Sequence, residues 1–139
     1  CLLGISCKYN GKSNRSEELI QYLKENQIPF IPVCPEQLGG LATPRLCSEI
    51  QPDGKVVNTE GTDLTPLFLK GAEECLKIIS EWSIEKAILK AKSPSCGTNQ
   101  VYDGTFKGIL VSGWGIAAQK MKEAGIQIAD ENTWSKLFE

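Results

Sequence analysis

With 139 residues, the chain is long enough for one domain with a substantial hydrophobic core. Its 41% hydrophobic and 23% charged residues exclude a disordered or fibrous protein and describe an ordinary globular one. A formal charge of −2 provides no basic field to gather nucleic acid, and no apolar run approaches the ~20 residues that a membrane helix needs.

The chain opens at Cys1 rather than Met and shows no signal-peptide pattern; the expectation is that a short leading segment has been trimmed and that "CLLG" is its tail. "NRSEELIQYLKENQ" predicts a helix with Asn14 as N-cap, Glu17 as its capping-box partner, and Leu19, Ile20 and Leu23 on one face. The apolar run "IPFIPVC" predicts a buried strand ending at Cys34, and the Pro/Gly loop "PEQLGGLATPR" follows at once. "KVVNTEG" reads as a short strand or an extended excursion. "DLTPLFLKGAEECLKIISEW" has the strongest helical pattern, with Thr65 placed as cap and Pro66 at the first helical position. Its stripe of Leu64, Phe68, Ala72, Cys75, Leu76 and Ile79 puts Cys75 in the core.

"KAILKA" predicts the next strand, and "KSPSCGTN" a turn, since Pro94 stops regular structure and Gly97 permits a positive φ. Asp103-Gly104 marks a second turn before the strand "GILVS". "GWGIAAQKMKEAG" predicts a helix closed by Gly125, "IQIA" a last strand, and "DENTWSKLFE" a final helical turn. Strands alternating with amphipathic helices predict one α/β domain over residues 1–139, with a mainly parallel sheet and helices on both faces. Ligands of such sheets sit beyond the carboxyl ends of the strands.

The chain has six cysteines and no histidine. Without His there is no Ser-His or Cys-His nucleophile pair and no His-containing zinc site. A secreted disulfide framework suits chains too small to build a core, so six thiols here point to metal or redox chemistry. Cys34 ends one predicted strand, Cys96 lies in the loop leaving another, and Cys1 would end a first strand if one preceded it. Converging, the three would form a soft ligand set for zinc, copper(I) or an iron–sulfur cluster. For Cys96 in its turn, a disulfide, a nucleophile and a small buried hydrophobe are the other readings.

The blocks "CLLG..C.YNG", "VCPEQLGGLATPR", "EI", "GTDLTPLFLKGA", "LKAKSPSCG", "YDGTFKG" and "GWGIAA" occur in an order and spacing that resemble the 2-thiouracil desulfidases, also catalogued as domain of unknown function 523. The resemblance implies a single Rossmann-like three-layer α/β domain and a [4Fe-4S] cluster held by Cys1, Cys34 and Cys96. It implies that the thiocarbonyl sulfur of a thiolated base, of thiouracil or thiouridine type, is replaced by oxygen and released as sulfide. Cys7 and Cys47 match no fixed ligand position of the family. A non-catalytic iron–sulfur sensor or sulfur-trafficking module is the alternative, and would close the cluster with a fourth ligand such as Cys7 or Cys47.

Glu36, two residues after Cys34, is the candidate general acid–base, against a structural hydrogen-bond acceptor in the Gly-Gly loop. Ser93 and Ser95 are candidates to orient the base or water, against turn caps. Arg45 is a candidate for a substrate carbonyl or phosphate, against a surface ion pair. Gly113 and Gly115, in "GWGIAA", fit a dinucleotide fingerprint only loosely; a nucleotide phosphate at the helix N-terminus, or close helix–sheet packing, suits them better. The partner implied is a small thiolated base or nucleotide, with no nucleic acid and no membrane, in the cytoplasm. Oligomeric state is left open.

Overall fold

A computed structural model describes residues 1–139. The elements run α1 (Glu17–Glu25), α2 (Pro35–Leu38), β1 (Ser48–Ile50), β2 (Val56–Asn58), α3 (Thr65–Glu81), β3 (Lys86–Leu89), β4 (Gln100–Tyr102), β5 (Leu110–Ser112), α4 (Ile116–Glu123) and β6 (Gln127–Asp130), with a closing 3-10 turn at Trp134–Phe138. The protein is a mixed α/β fold with one parallel strand pair. β3 and β6 run parallel, from Lys86 opposite Gln127 to Leu89 opposite Asp130. β1–β2 and β4–β5 are separate antiparallel pairs.

α1 buries the predicted face of Leu19, Ile20 and Leu23, but its cap is Ser16, whose Oγ accepts from the Leu19 N–H at 3.4 Å. Asn14 does not cap it: its side chain turns away to the Cys1 thiol. In α3 the cap position falls to Leu64, and Thr65 is the first helical residue. The Thr65 hydroxyl accepts from the Val56 N–H at 2.9 Å and donates to Asp63 at 2.6 Å, so it fastens the helix to β2 instead of capping it.

The predicted strand over 28–34 is not paired, and Phe30 and Ile31 are exposed. Pro29 and Pro32 remove two ladder donors within this short run, which keeps it out of a regular sheet. A mainly parallel sheet therefore gives way to three two-stranded pieces.

The main core joins α3, α4 and β3 through Ala72, Cys75, Leu89, Ala117, Ala118 and Met121, with Ala87 packed against it. Ile88, on the opposite face of β3, joins the second cluster of Leu2, Leu19 and Leu23 from the N-terminal segment and α1. The alternation along β3 thus places helices on both sides of it. Cys75 sits in the main core, as its helical stripe predicts.

α2 crosses α3 at a pair of glycines. A Cβ on Gly39 would lie 2.0 Å from the Leu67 carbonyl oxygen, and one on Gly71 1.9 Å from that of Pro35. Only glycine at both positions lets the two backbones meet, and this contact fixes the short helix that follows Cys34 and carries Glu36.

Candidate active site

Every predicted thiol ligand faces one cavity. Its volume is about 1020 Å³, and Cys1, Cys34 and Cys96 all line it. Glu36, Arg45, Ser93 and Ser95 line the same space.

The turn bearing Cys96 is built on the start of α4. The Ser95 carbonyl accepts from the N–H groups of Ala117 at 2.9 Å and Ala118 at 3.0 Å, and the Pro94 carbonyl from Ile116 at 2.8 Å. These bonds satisfy amides that a helix N-terminus otherwise leaves open. They also overturn the expectation of a nucleotide phosphate there, because the amides are already occupied. Gly115 makes the close approach possible, since a Cβ on it would lie 2.5 Å from the Ser95 carbonyl carbon. Gly113 and Gly115 do not line the cavity; their role is packing. Gly97 does not adopt a positive φ. It is needed because a Cβ would lie 2.6 Å from the Ser93 carbonyl oxygen.

Ser93 Oγ accepts from the N–H groups of Ser95 at 3.2 Å and Cys96 at 3.1 Å. It lies 3.0 Å from Ser95 Oγ. Ser95 is 1% exposed and donates its own hydroxyl to Glu36 Oε2 at 2.9 Å. With that proton committed, Ser93 must be the donor to Ser95. A directed chain of O–H groups therefore leads from Ser93 through Ser95 to Glu36, and passes Cys96 Sγ, 3.6 Å from Ser95 Oγ.

Arg45 completes the carboxylate's setting, with Nε donating to Glu36 Oε1 at 3.2 Å. The guanidinium also donates to the carbonyls of Ala42 and Cys7 and to the Thr43 hydroxyl. Four protein acceptors use four of the five donors of an Arg, which leaves one N–H for the substrate carbonyl or phosphate expected of Arg45. Arg45 braces Glu36 and the cavity wall, and the ion pair is part-buried, with side chains 9% and 15% exposed.

The thiols sit in apolar surroundings. Burial pushes Cys96 up to about 12, opposed by the Ser95 hydroxyl and reinforced by Glu36. Burial likewise raises Cys34 and Cys47 above the ordinary thiol range. These groups are protonated at neutral pH until a soft metal displaces the protons.

The donor set fits a polynuclear cluster. No three His, Cys, Asp or Glu side chains stand close enough to share one metal ion. All six cysteines line the cavity, and Cys1, Cys34 and Cys96 among them can serve separate corners of a cluster. Cys1 also has a donor aimed at its sulfur, Asn14 Nδ2 at 3.2 Å, of the kind that stabilises a metal-bound thiolate, and Ser95 Oγ lies 3.6 Å from Cys96 Sγ.

A family model described as 2-thiouracil desulfurase matches residues 1–133. The chain belongs to that family. The match spans the desulfurase-family site from Cys1 to the end of β6. One relative is an uncharacterized protein, YbbK, of Bacillus subtilis (strain 168), 38% identical over 147 residues that cover 99% of this chain and 96% of the relative. Among solved structures, a [4Fe-4S]-dependent thiouracil desulfidase, TudS, is 36% identical, with a TM-score of 0.90 over 99% of this chain and 90% of that one.

Two residues of this desulfurase-family site carried no chemical assignment from the sequence. Asn14 reads as a helix cap, and nothing local points it at a thiol. Glu49 stands in the quoted block "EI" with no partner visible in sequence; its contacts lie more than fifty residues away.

Proposed function

We propose that the protein binds a [4Fe-4S] cluster through Cys1, Cys34 and Cys96 and hydrolyses the thiocarbonyl of a thiolated nucleobase, of thiouracil or thiouridine type, to the oxo base and sulfide. The observation that carries this reading is the Ser93–Ser95–Glu36 chain, which passes Cys96 at Ser95 in the cavity that all three thiols line. When bound, the cluster supplies a soft Lewis acid for the thiocarbonyl sulfur.

The chain's own residues then move protons and position water. Glu36, anchored by Arg45 through Oε1, takes a proton from the attacking water. Ser95 bridges Glu36 to the edge of Cys96, and along it the proton reaches the departing sulfur. Ser93 holds Ser95 in register, itself fixed by two backbone N–H groups. Water adds one oxygen to the carbon, sulfur leaves as sulfide, and no net electron is transferred.

The finer fold reading is a single Rossmann-like three-layer domain over residues 1–139. Its support is the parallel β3–β6 pair and the alternation of β3 between two clusters. The partner in this reading is a small thiolated base or nucleotide in the cytoplasm, not a nucleic acid or a membrane. The net charge of −2, which provides no basic field for nucleic acid, and six free thiols support it.

Anaerobic reconstitution with iron and sulfide, followed by a sulfide-release assay, tests the reading. Glu36→Gln should load normally while turnover per assembled cluster falls by about a hundredfold or more. Normal turnover per cluster in that variant would remove Glu36 from the reaction.

A further inference from the structure

Glu49 is a carboxylate with one oxygen used and one to spare. It lies in β1, is 6% exposed and lines the cavity. Its Oε1 accepts from the N–H groups of Gly104 at 3.0 Å and Phe106 at 3.1 Å, in the turn of the β4–β5 hairpin. Gln51, from just beyond the same strand, donates to the Gly104 carbonyl at 3.0 Å. Gly104 needs φ +96°, and a Cβ on it would lie 2.9 Å from the Ile50 carbonyl oxygen, so the turn is held tightly against β1.

No protein donor reaches Oε2. No fully buried side-chain oxygen lacks a partner, so Oε2 keeps accessible surface, and Glu49 is among the residues that line the cavity. Burial raises the Cys47 thiol first, and Glu49 and then Glu36 raise it further; the two carboxylates therefore front the same region. Glu36 has both oxygens occupied, by Arg45 and Ser95. Glu49 Oε2 is thus the free anionic acceptor in a largely apolar space. An acceptor of this kind selects an N–H donor, and its bond is charge-assisted.

We propose that Glu49 is a specificity-determining residue that accepts the ring N–H flanking the thiocarbonyl, so that the site takes cyclic thioamides and thioureas with a free N–H over those without one. This deepens the desulfidase reading and rests on it for the class of substrate. The loop tether and the recognition contact use different oxygens, so they can be separated.

Glu49→Gln makes the separation. Its amide oxygen can still accept from Gly104 and Phe106, while the amide nitrogen places a donor where the acceptor was. The experiment titrates 2-thiouracil and 1,3-dimethyl-2-thiouracil into anaerobically loaded protein by calorimetry, and measures sulfide release in parallel. The wild type should prefer 2-thiouracil by roughly 10- to 100-fold, the scale of a hydrogen bond to a charged group, and Glu49→Gln should lose that preference at unchanged cluster content and melting temperature. A preference retained in loaded Glu49→Gln, or absent from the wild type, overturns the proposal. If the variant does not fold, wild-type binding of 2(1H)-pyridinethione against 2H-pyran-2-thione decides, because the pair exchanges N–H for oxygen at nearly constant shape; equal affinities overturn it. Selective binding of 2-thiouracil without sulfide release would uphold the Glu49 contact and sink the desulfidase reading instead.

Discussion

Ser95 shows how much can rest on one hydroxyl. Its carbonyl caps α4, its O–H satisfies Glu36, and its Oγ lies beside the Cys96 sulfur. Cys96 and Cys75 are both pushed up to about 12, chiefly by burial, yet they have different fates. Cys75 belongs to the α3–α4 core and is no ligand in the proposed site. Cys34→Ala and Cys96→Ala should each abolish cluster loading by visible absorbance and iron analysis, and Cys75→Ala should leave it intact. A full chromophore in Cys34→Ala would refute the ligand assignment. Cys75 also predicts an alkaline limit. Its pKa in the fold lies above the ordinary thiol value of 9.0, so its contribution is complete below pH 9 and is lost as pH rises towards 12. Chemical denaturation of unloaded protein across that range should show a shallower loss of stability in Cys75→Ala than in the wild type. Parallel curves would mean that the Cys75 thiol ionises as easily folded as unfolded.

The elements that position these residues meet through backbone, at Gly39–Gly71 and at Gly115–Ser95. Gly71→Ala sets two effects against each other. Helix propensity favours Ala in the middle of α3 by up to about 1 kcal/mol. The clash, at 1.9 Å from a carbonyl oxygen, cannot be relieved by a rotamer change, and forcing apart a packed contact costs roughly 1–3 kcal/mol. The clash should win. α2 should lift from α3 and carry Cys34 and Glu36 with it, so Gly71→Ala should melt lower and load less iron; unchanged melting and loading would show that α2 is not held by this crossing. None of this was legible in the sequence, where Gly71 has no local partner to mark it. Local patterns did reveal the buried faces of α1 and α3, strands β3 and β6, the turn at Asp103-Gly104 and the cap at Gly125. They failed where the deciding contact is distant or the competing bond is a side chain's. Arg45 reads as a substrate contact or a surface ion pair, and the sequence does not show the four acceptors that close on it. Asn14 reads as a cap until Cys1 takes its donor. The stretch 28–34 reads as a strand because its apolar residues outweigh, in a periodicity count, the two prolines that deny it a ladder.

At the scale of the molecule, the cavity is where segments far apart in sequence meet. The N-terminal segment brings Cys1, the approach to α2 brings Cys34, and the turn after β3, packed on the start of α4, brings Cys96. Two of its walls are short: β1 has three residues and α2 four. A cofactor bound to all three thiols would cross-link these segments and reduce the freedom of the unfolded chain if it stays attached. It would also stabilise the fold by mass action, since it binds the folded arrangement far better than separate thiols. At a hundredfold excess over the dissociation constant this amounts to about 2.7 kcal/mol, which for a chain of this size moves the melting temperature by roughly 10 °C. Anaerobically loaded protein should therefore melt about that much higher than unloaded protein, and removal of iron by a chelator should reverse the shift. Cys96→Ala should show no shift under the same treatment, because the ligand that ties the α4 side of the cavity is gone. Identical melting of loaded and unloaded wild type, at full iron content, would place the cluster on one segment alone and rule out a site assembled from all three.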